Sequence, residues 1–189
     1  MLLEETRISD LYIVEIQGRE DHRGFFARTF CEREFAEIGV RARMVQASIS
    51  WNRRRGTVRG MHFQRPPSQE GKLVRCTRGR IFDVVIDLRP DSSTYTQHFA
   101  VELDAASRRA LYIPPGLAHG FQALQDDTEV FYQMSDYFDP SLAGGVRWND
   151  PAFGIHWPIA EVTVLDRDGE YPDFDAKAFA SKCAVWASG

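Results

Sequence analysis

The sequence predicts an all-β domain, a sandwich or barrel of short strands, and three observations carry that expectation. Apolar and polar residues alternate in several short runs. Turn residues separate those runs at close spacing. Helical periodicity is confined to two brief segments. The chain has 189 residues, enough for one domain with a sizeable core. Its 43% hydrophobic and 26% charged residues are those of an ordinary globular protein, and a net charge of −4 argues against charge-driven nucleic-acid binding.

Residues 31–38 (CEREFAEI) are expected to be helical and to end at Gly39, a suitable residue after a helix. Residues 44–51 alternate as a strand. Residues 72–88 read as a hairpin whose turn is T-R-G-R at 77–80, with Gly79 supplying a positive φ. In 99–103, Phe99, Val101 and Leu103 point one way, Ala100 and Glu102 the other. Residues 110–113 run into Pro114-Pro115-Gly116, a strong breaker. Residues 118–124 and 129–138 are two more strands around Asp126-Asp127, and 174–183 is a second helix. A jelly roll of the cupin type satisfies this pattern, as do other β-sandwiches.

No apolar run reaches the length of a membrane span, and the opening residues do not read as a signal peptide. Cys31, Cys76 and Cys183 are scattered and odd in number, which suggests buried, reduced thiols in a cytoplasmic protein.

His62 and His119 both stand in strand-like runs beside glycines, where backbone or ligand approaches closely. Each is either a core histidine bonded to a carbonyl or a functional one. A metal site is hard to assemble, because Gln64 occupies the position where a second histidine ligand would follow His62. Arg53, Arg54 and Arg55 read as a solvated face. Arg59 and Lys72 lie inside strand-like runs, which favours a site for a phosphorylated small molecule. Tyr132 sits between apolar neighbours, as a packed tyrosine or an aimed hydroxyl. Asp166 and Asp168 lie in V-L-D-R-D-G, which reads as a loop.

Taken together the motifs resemble the dTDP-4-dehydrorhamnose 3,5-epimerase family. They are D-x-R-G-F-F at 21–26, V-R-G-M-H-F-Q at 58–64, G-K-L-V-R-C at 71–76 and G-x-x-F-D-V-V-x-D-L-R at 79–89. I-P-P-G-x-A-H-G-F at 113–121, Y-x-x-x-D-Y at 132–137 and W-N-D-P at 148–151 follow in order. The resemblance implies a cupin-type jelly roll (double-stranded β-helix) with short peripheral helices, over a single domain 1–189. Residues 1–43 would cross to a partner in a homodimer with shared sites, and 169–189 would be an extension. It implies a nucleotide-diphosphate 4-keto-6-deoxyhexose as substrate, inverted at C3, C5 or both, with no cofactor and no metal.

The same resemblance implies the roles. His62 is the general base, oriented by Asp168. Tyr132 is the acid on the opposite face, and Lys72 stabilises the enolate. Arg59, His119, Arg23, Phe26, Gln46, Ser48, Phe138, Arg28 and Arg167 bind substrate. Arg28, Ser48, Phe138 and Leu165 depart from the family pattern, where an acid, Asn, Tyr and Ser are usual, so the reaction class is better specified than the nucleotide. The rival readings are a 3,4-ketoisomerase, a monoepimerase acting on a CDP- or GDP-sugar, a sugar-nucleotide binding protein without turnover, and a metal-dependent cupin.

Overall fold

The structure, a computed structural model, describes residues 1–40 and 42–182. Two antiparallel sheets face one another as a jelly roll of the cupin type. The N-terminal part supplies β1 (Leu2–Glu5), β2 (Tyr12–Glu15), the hairpin β3 (Arg19–Asp21) and β4 (Gly24–Phe26), and helix α1 (Glu32–Ala36). The barrel strands follow: β5 (Gln46–Asn52), β6 (Val58–Gln64), β7 (Lys72–Arg78), β8 (Arg80–Asp87), β9 (His98–Asp104) and β10 (Ala110–Ile113). Then come β11 (Leu117–Ala123), β12 (Thr128–Met134), β13 (Ala143–Gly145), the helical turn α2 (Asp166–Gly169) and α3 (Ala176–Lys182). One sheet has the order β1-β2-β10-β7-β12-β5, the other β13-β6-β11-β8-β9.

Period-2 alternation sorts the side chains. On β8, Ile81 and Val85 join the core between the sheets. Phe82, Val84 and Ile86 pack outward beneath Phe153, Trp157, Phe174 and Phe179 of the C-terminal segment. On β9, Phe99, Val101 and Leu103 face the central core and Ala100 the outer layer, as the sequence alternation requires. A third cluster seals the other sheet, where Phe35 of α1 packs on Tyr112, Leu73 and Val14.

The structure corrects four expectations. Residues 72–88 are not a hairpin: β7 pairs with β10 and β12, whereas β8 pairs with β9 and β11. Gly79 does take a positive φ of 78°. The turn nevertheless carries the chain from one sheet to the other, pressed against Thr128, whose Oγ1 lies 2.5 Å from where a Cβ would stand. Second, the strand expected over 129–138 stops at Met134, because the next segment is held by side chains rather than by the sheet. Third, the loop expected around Asp166 and Asp168 is the helical turn α2. Fourth, Cys76 is buried, its thiol pushed up to about 12 chiefly by desolvation, but Cys31 is only half-buried, preceding α1. Cys183 and the end of the second expected helix lie outside the described residues. Among the described residues no helix is long and apolar enough to cross a membrane.

Candidate active site

Inward-facing positions of five strands open onto one cleft of about 690 Å³. Alternation brings Gln46, Ser48 and Ser50 from β5, His62 from β6, and Lys72 from β7. His119 comes from β11 and Tyr132 from β12. Arg59, Phe138, Leu165, Arg167 and Asp168 complete its wall. His62 therefore projects from the five-stranded sheet, and Tyr132 and Lys72 from the six-stranded sheet opposite.

His62 and His119 are register partners on β6 and β11. Two glycines allow this close pairing. Gly60 has a φ of 138°, and a Cβ there would come within 2.5 Å of the Gly120 Cα. The Gly60 N–H points at Asp168 Oδ2, at 3.4 Å. The other carboxylate oxygen, Oδ1, lies 2.8 Å from His62 Nε2. Asp168 is buried with 3% of its side chain exposed, while His62 is 34% exposed to the cleft. An ionised Asp168 can only accept, so it selects the tautomer with the proton on Nε2 and leaves the Nδ1 lone pair available. Desolvation lowers the His62 pKa below its ordinary value. Asp168 opposes that shift, and the charges of Lys72 and Arg167 reinforce it. The net shift favours the neutral ring, the form able to accept a proton.

His119 has its own carboxylate. Its Nε2 lies 3.1 Å from both oxygens of Asp83, with the two side chains only 5% and 0% exposed. The ring also meets Tyr132 edge-on at 6.2 Å. Burial raises the Tyr132 pKa well above its ordinary value. The nearby Ser50 hydroxyl works against that, the Asp83 charge adds to it, and Arg59 lowers it. The phenol keeps its proton at neutral pH.

Lys72 pairs with Glu70 at 3.3 Å. Arg59 is aimed by the buried Asn52, whose Oδ1 accepts from Nε at 2.8 Å. Among the described residues no group of three or more His, Cys, Asp or Glu is placed to hold a metal ion.

Ten of the thirteen site residues expected from sequence thus line one cleft. Arg23, Phe26 and Arg28 stand apart. Arg23 pairs with Asp21 on the β3–β4 hairpin at 2.6 Å, and Arg28 with Glu34 at 3.0 Å. Phe26 and Arg28 line a separate hollow under the N-terminal segment. Sequence reasoning missed Asp83, Asn52, Glu70 and Gln64. Inward parity with Ile81 and Val85 on β8 was the available signal for Asp83, since a buried carboxylate in a strand needs a partner.

The chain matches known proteins over most of its length. The family model described as dTDP-4-dehydrorhamnose 3,5-epimerase matches residues 5–176. A dTDP-4-dehydrorhamnose 3,5-epimerase of Salmonella typhimurium is 40% identical over 93% of this chain and 96% of its own length. The 4-keto-6-deoxy sugar epimerase NovW, from the novobiocin biosynthetic gene cluster of Streptomyces spheroides, superposes with a TM-score of 0.91. It is 36% identical, over 98% of this chain and 94% of its own. ChmJ, a 3′-monoepimerase of Streptomyces bikiniensis solved with dTDP-quinovose, gives a TM-score of 0.82 at 31% identity, over 89% and 85% of the two chains.

Proposed function

The chain belongs to the dTDP-4-dehydrorhamnose 3,5-epimerase family, and from that premise we propose that it inverts C3, C5 or both of a dTDP-linked 4-keto-6-deoxyhexose without a cofactor. One observation carries this reading: a carboxylate-oriented histidine and a protonated tyrosine enter the same cleft from opposing sheets. Inversion at a carbon beside a ketone needs a base on one face and an acid on the other.

In this reading His62 Nδ1 takes the proton from C3 or C5. The C–H electron pair moves into the carbon–carbon bond, and the carbonyl pair moves onto the C4 oxygen. Lys72 and His119 hold the resulting enolate. Asp168 stabilises the imidazolium as it forms. The Tyr132 hydroxyl then donates its proton to the same carbon from the opposite face, the enolate collapses to the ketone, and solvent restores both groups. Every step is a proton transfer, so no oxidant or reductant is called for. Arg59 and Arg167 bind the diphosphate, Gln46 and Ser48 the sugar or base, and Phe138 stacks at the mouth.

Arg23, Phe26 and Arg28 reach a site only if a second copy receives the N-terminal segment. Exposed Phe26, Ile49 and Trp51 supply apolar surface for such a homodimer. Sedimentation that found a fully active monomer would remove this part. The free thiols Cys31 and Cys76 suit a reducing, cytoplasmic setting.

The test is proton NMR of dTDP-4-keto-6-deoxyglucose in deuterated water with purified protein alone. Deuterium at C3 and C5 is expected for a double epimerase, and at one position for a monoepimerase. His62→Ala should abolish exchange, and Tyr132→Phe should retain more exchange than inversion. Wild-type exchange in His62→Ala would overturn the assignment of the base.

A further inference from the structure

Between β12 and β13 the chain leaves the sheet, and Phe138 stands there 59% exposed on the cleft wall. Backbone bonds to neighbouring chain tie only the ends of this segment, Ser135 N–H to the Gly71 carbonyl and Arg65 N–H to the Leu142 carbonyl. Its polar backbone groups are gripped by two glutamines instead. Gln64 Oε1 accepts from the Asp139 N–H at 2.7 Å, and Gln64 Nε2 donates to the Tyr137 carbonyl at 3.1 Å. Gln46 Oε1 accepts from the Phe138 N–H at 2.7 Å. Gln64 is buried and also donates to Ser68 Oγ at 3.3 Å, which itself donates to Asp136 Oδ2 at 2.8 Å.

Position 64 accepts from an N–H and donates to a carbonyl two residues earlier. A carboxamide does both at once, with its oxygen and its NH₂; a carboxylate has no donor and an aliphatic side chain has neither. Gln64 is also the last residue of β6, two positions after His62 and on the same inward face. The strand that carries the base thus also sets the segment that carries the exposed aromatic ring.

We infer that Gln64 is a positioning residue that acts through Phe138, holding its ring in register with His62 so that the nucleotide end of the substrate is seated while the sugar meets the base. This rests on the reading of Phe138 as a substrate contact. Gln64 touches no reacting atom, so its loss acts on substrate binding and not on proton transfer.

The experiment is a double-mutant cycle of Gln64→Glu and Phe138→Ala, with KM and kcat measured on dTDP-4-keto-6-deoxyglucose. Phe138→Ala is expected to raise KM about tenfold, the size of one lost aromatic stacking contact. Gln64→Glu should raise KM roughly three- to tenfold with kcat nearly unchanged, and should add little once Phe138 is already Ala. The same rise in KM in both backgrounds would overturn the inference while leaving Phe138 as a substrate contact. A Phe138→Ala variant with wild-type KM would overturn that contact and the inference with it. Should Gln64→Glu fail to fold, Ser68→Ala loosens the same clamp and is expected to raise KM about twofold in the wild-type background only.

Discussion

His62 and His119 stand side by side on neighbouring strands, each with a carboxylate at its Nε2, yet the two pairs are built differently. Asp83 comes from the adjacent strand β8 and gives both its oxygens to one ring nitrogen, in a pair almost sealed from solvent. Asp168 comes from the helical turn α2, divides its oxygens between His62 and the Gly60 N–H, also accepts from Arg167 Nε at 3.5 Å, and leaves the ring one-third exposed. The same two residue types therefore suit different tasks. The sealed pair can hold a ring still beside Tyr132. The open pair presents a lone pair to the cleft and can lose and regain a proton there.

Replacing each acid by its amide sharpens the contrast. In Asp168→Asn the charge facing the imidazolium is lost, and where the Gly60 N–H keeps the amide oxygen the NH₂ turns toward His62 and moves the ring proton to Nδ1. A loss of about 10⁴ in kcat is expected, as for other histidine bases given the wrong tautomer. Asp83→Asn can keep its oxygen on His119, so only a buried charge is lost, and about 10²-fold in kcat is expected. Equal losses in steady-state kcat would break the distinction. The smallest effect is on the acid limb of kcat/KM against pH. The base must be neutral, and burial lowers its pKa, so activity should be lost only as the pH falls through a value below the ordinary 6.5. A limb at or above 6.5 would mean that Asp168 outweighs burial. In whatever activity Asp168→Asn retains, the limb should move further toward acid, since the one contribution raising the His62 pKa is gone.

Much of this site is legible in the sequence. Gly60, Gly120 and the two histidines stand in strand-like runs, and alternation sends Lys72 and Tyr132 to the same interior. The strands from β5 to β12 were legible for the same reason, because alternation is local. What the sequence left open was partnership. A glycine with positive φ serves a hairpin and a sheet-to-sheet corner equally well, so T-R-G-R did not reveal that β7 and β8 part company. The N-terminal strands are three or four residues long, too short to show a period. Asp168 reads as a turn former because its partner lies 106 residues away. Gln64 meets loop atoms 73 and 75 residues on, and nothing in its own strand announces them.

The corner at Gly79 also sets a timetable. Because β7 and β8 diverge there, β7 waits for β10 and β12, and β8 for β9 and β11, before either is flanked on both sides. Few of these contacts are local, so loop-closure entropy must be met before the pairings reward it, and refolding belongs to the slow end of the range for domains this size. During synthesis the six-stranded sheet stays incomplete until the chain has passed Met134, and the five-stranded sheet until it has passed Gly145. His62 gains its carboxylate later still, when Asp168 emerges. A ribosome-bound chain stopped between those points can close most of the barrel around an unoriented base, so competence for turnover arrives as one of the last events of folding.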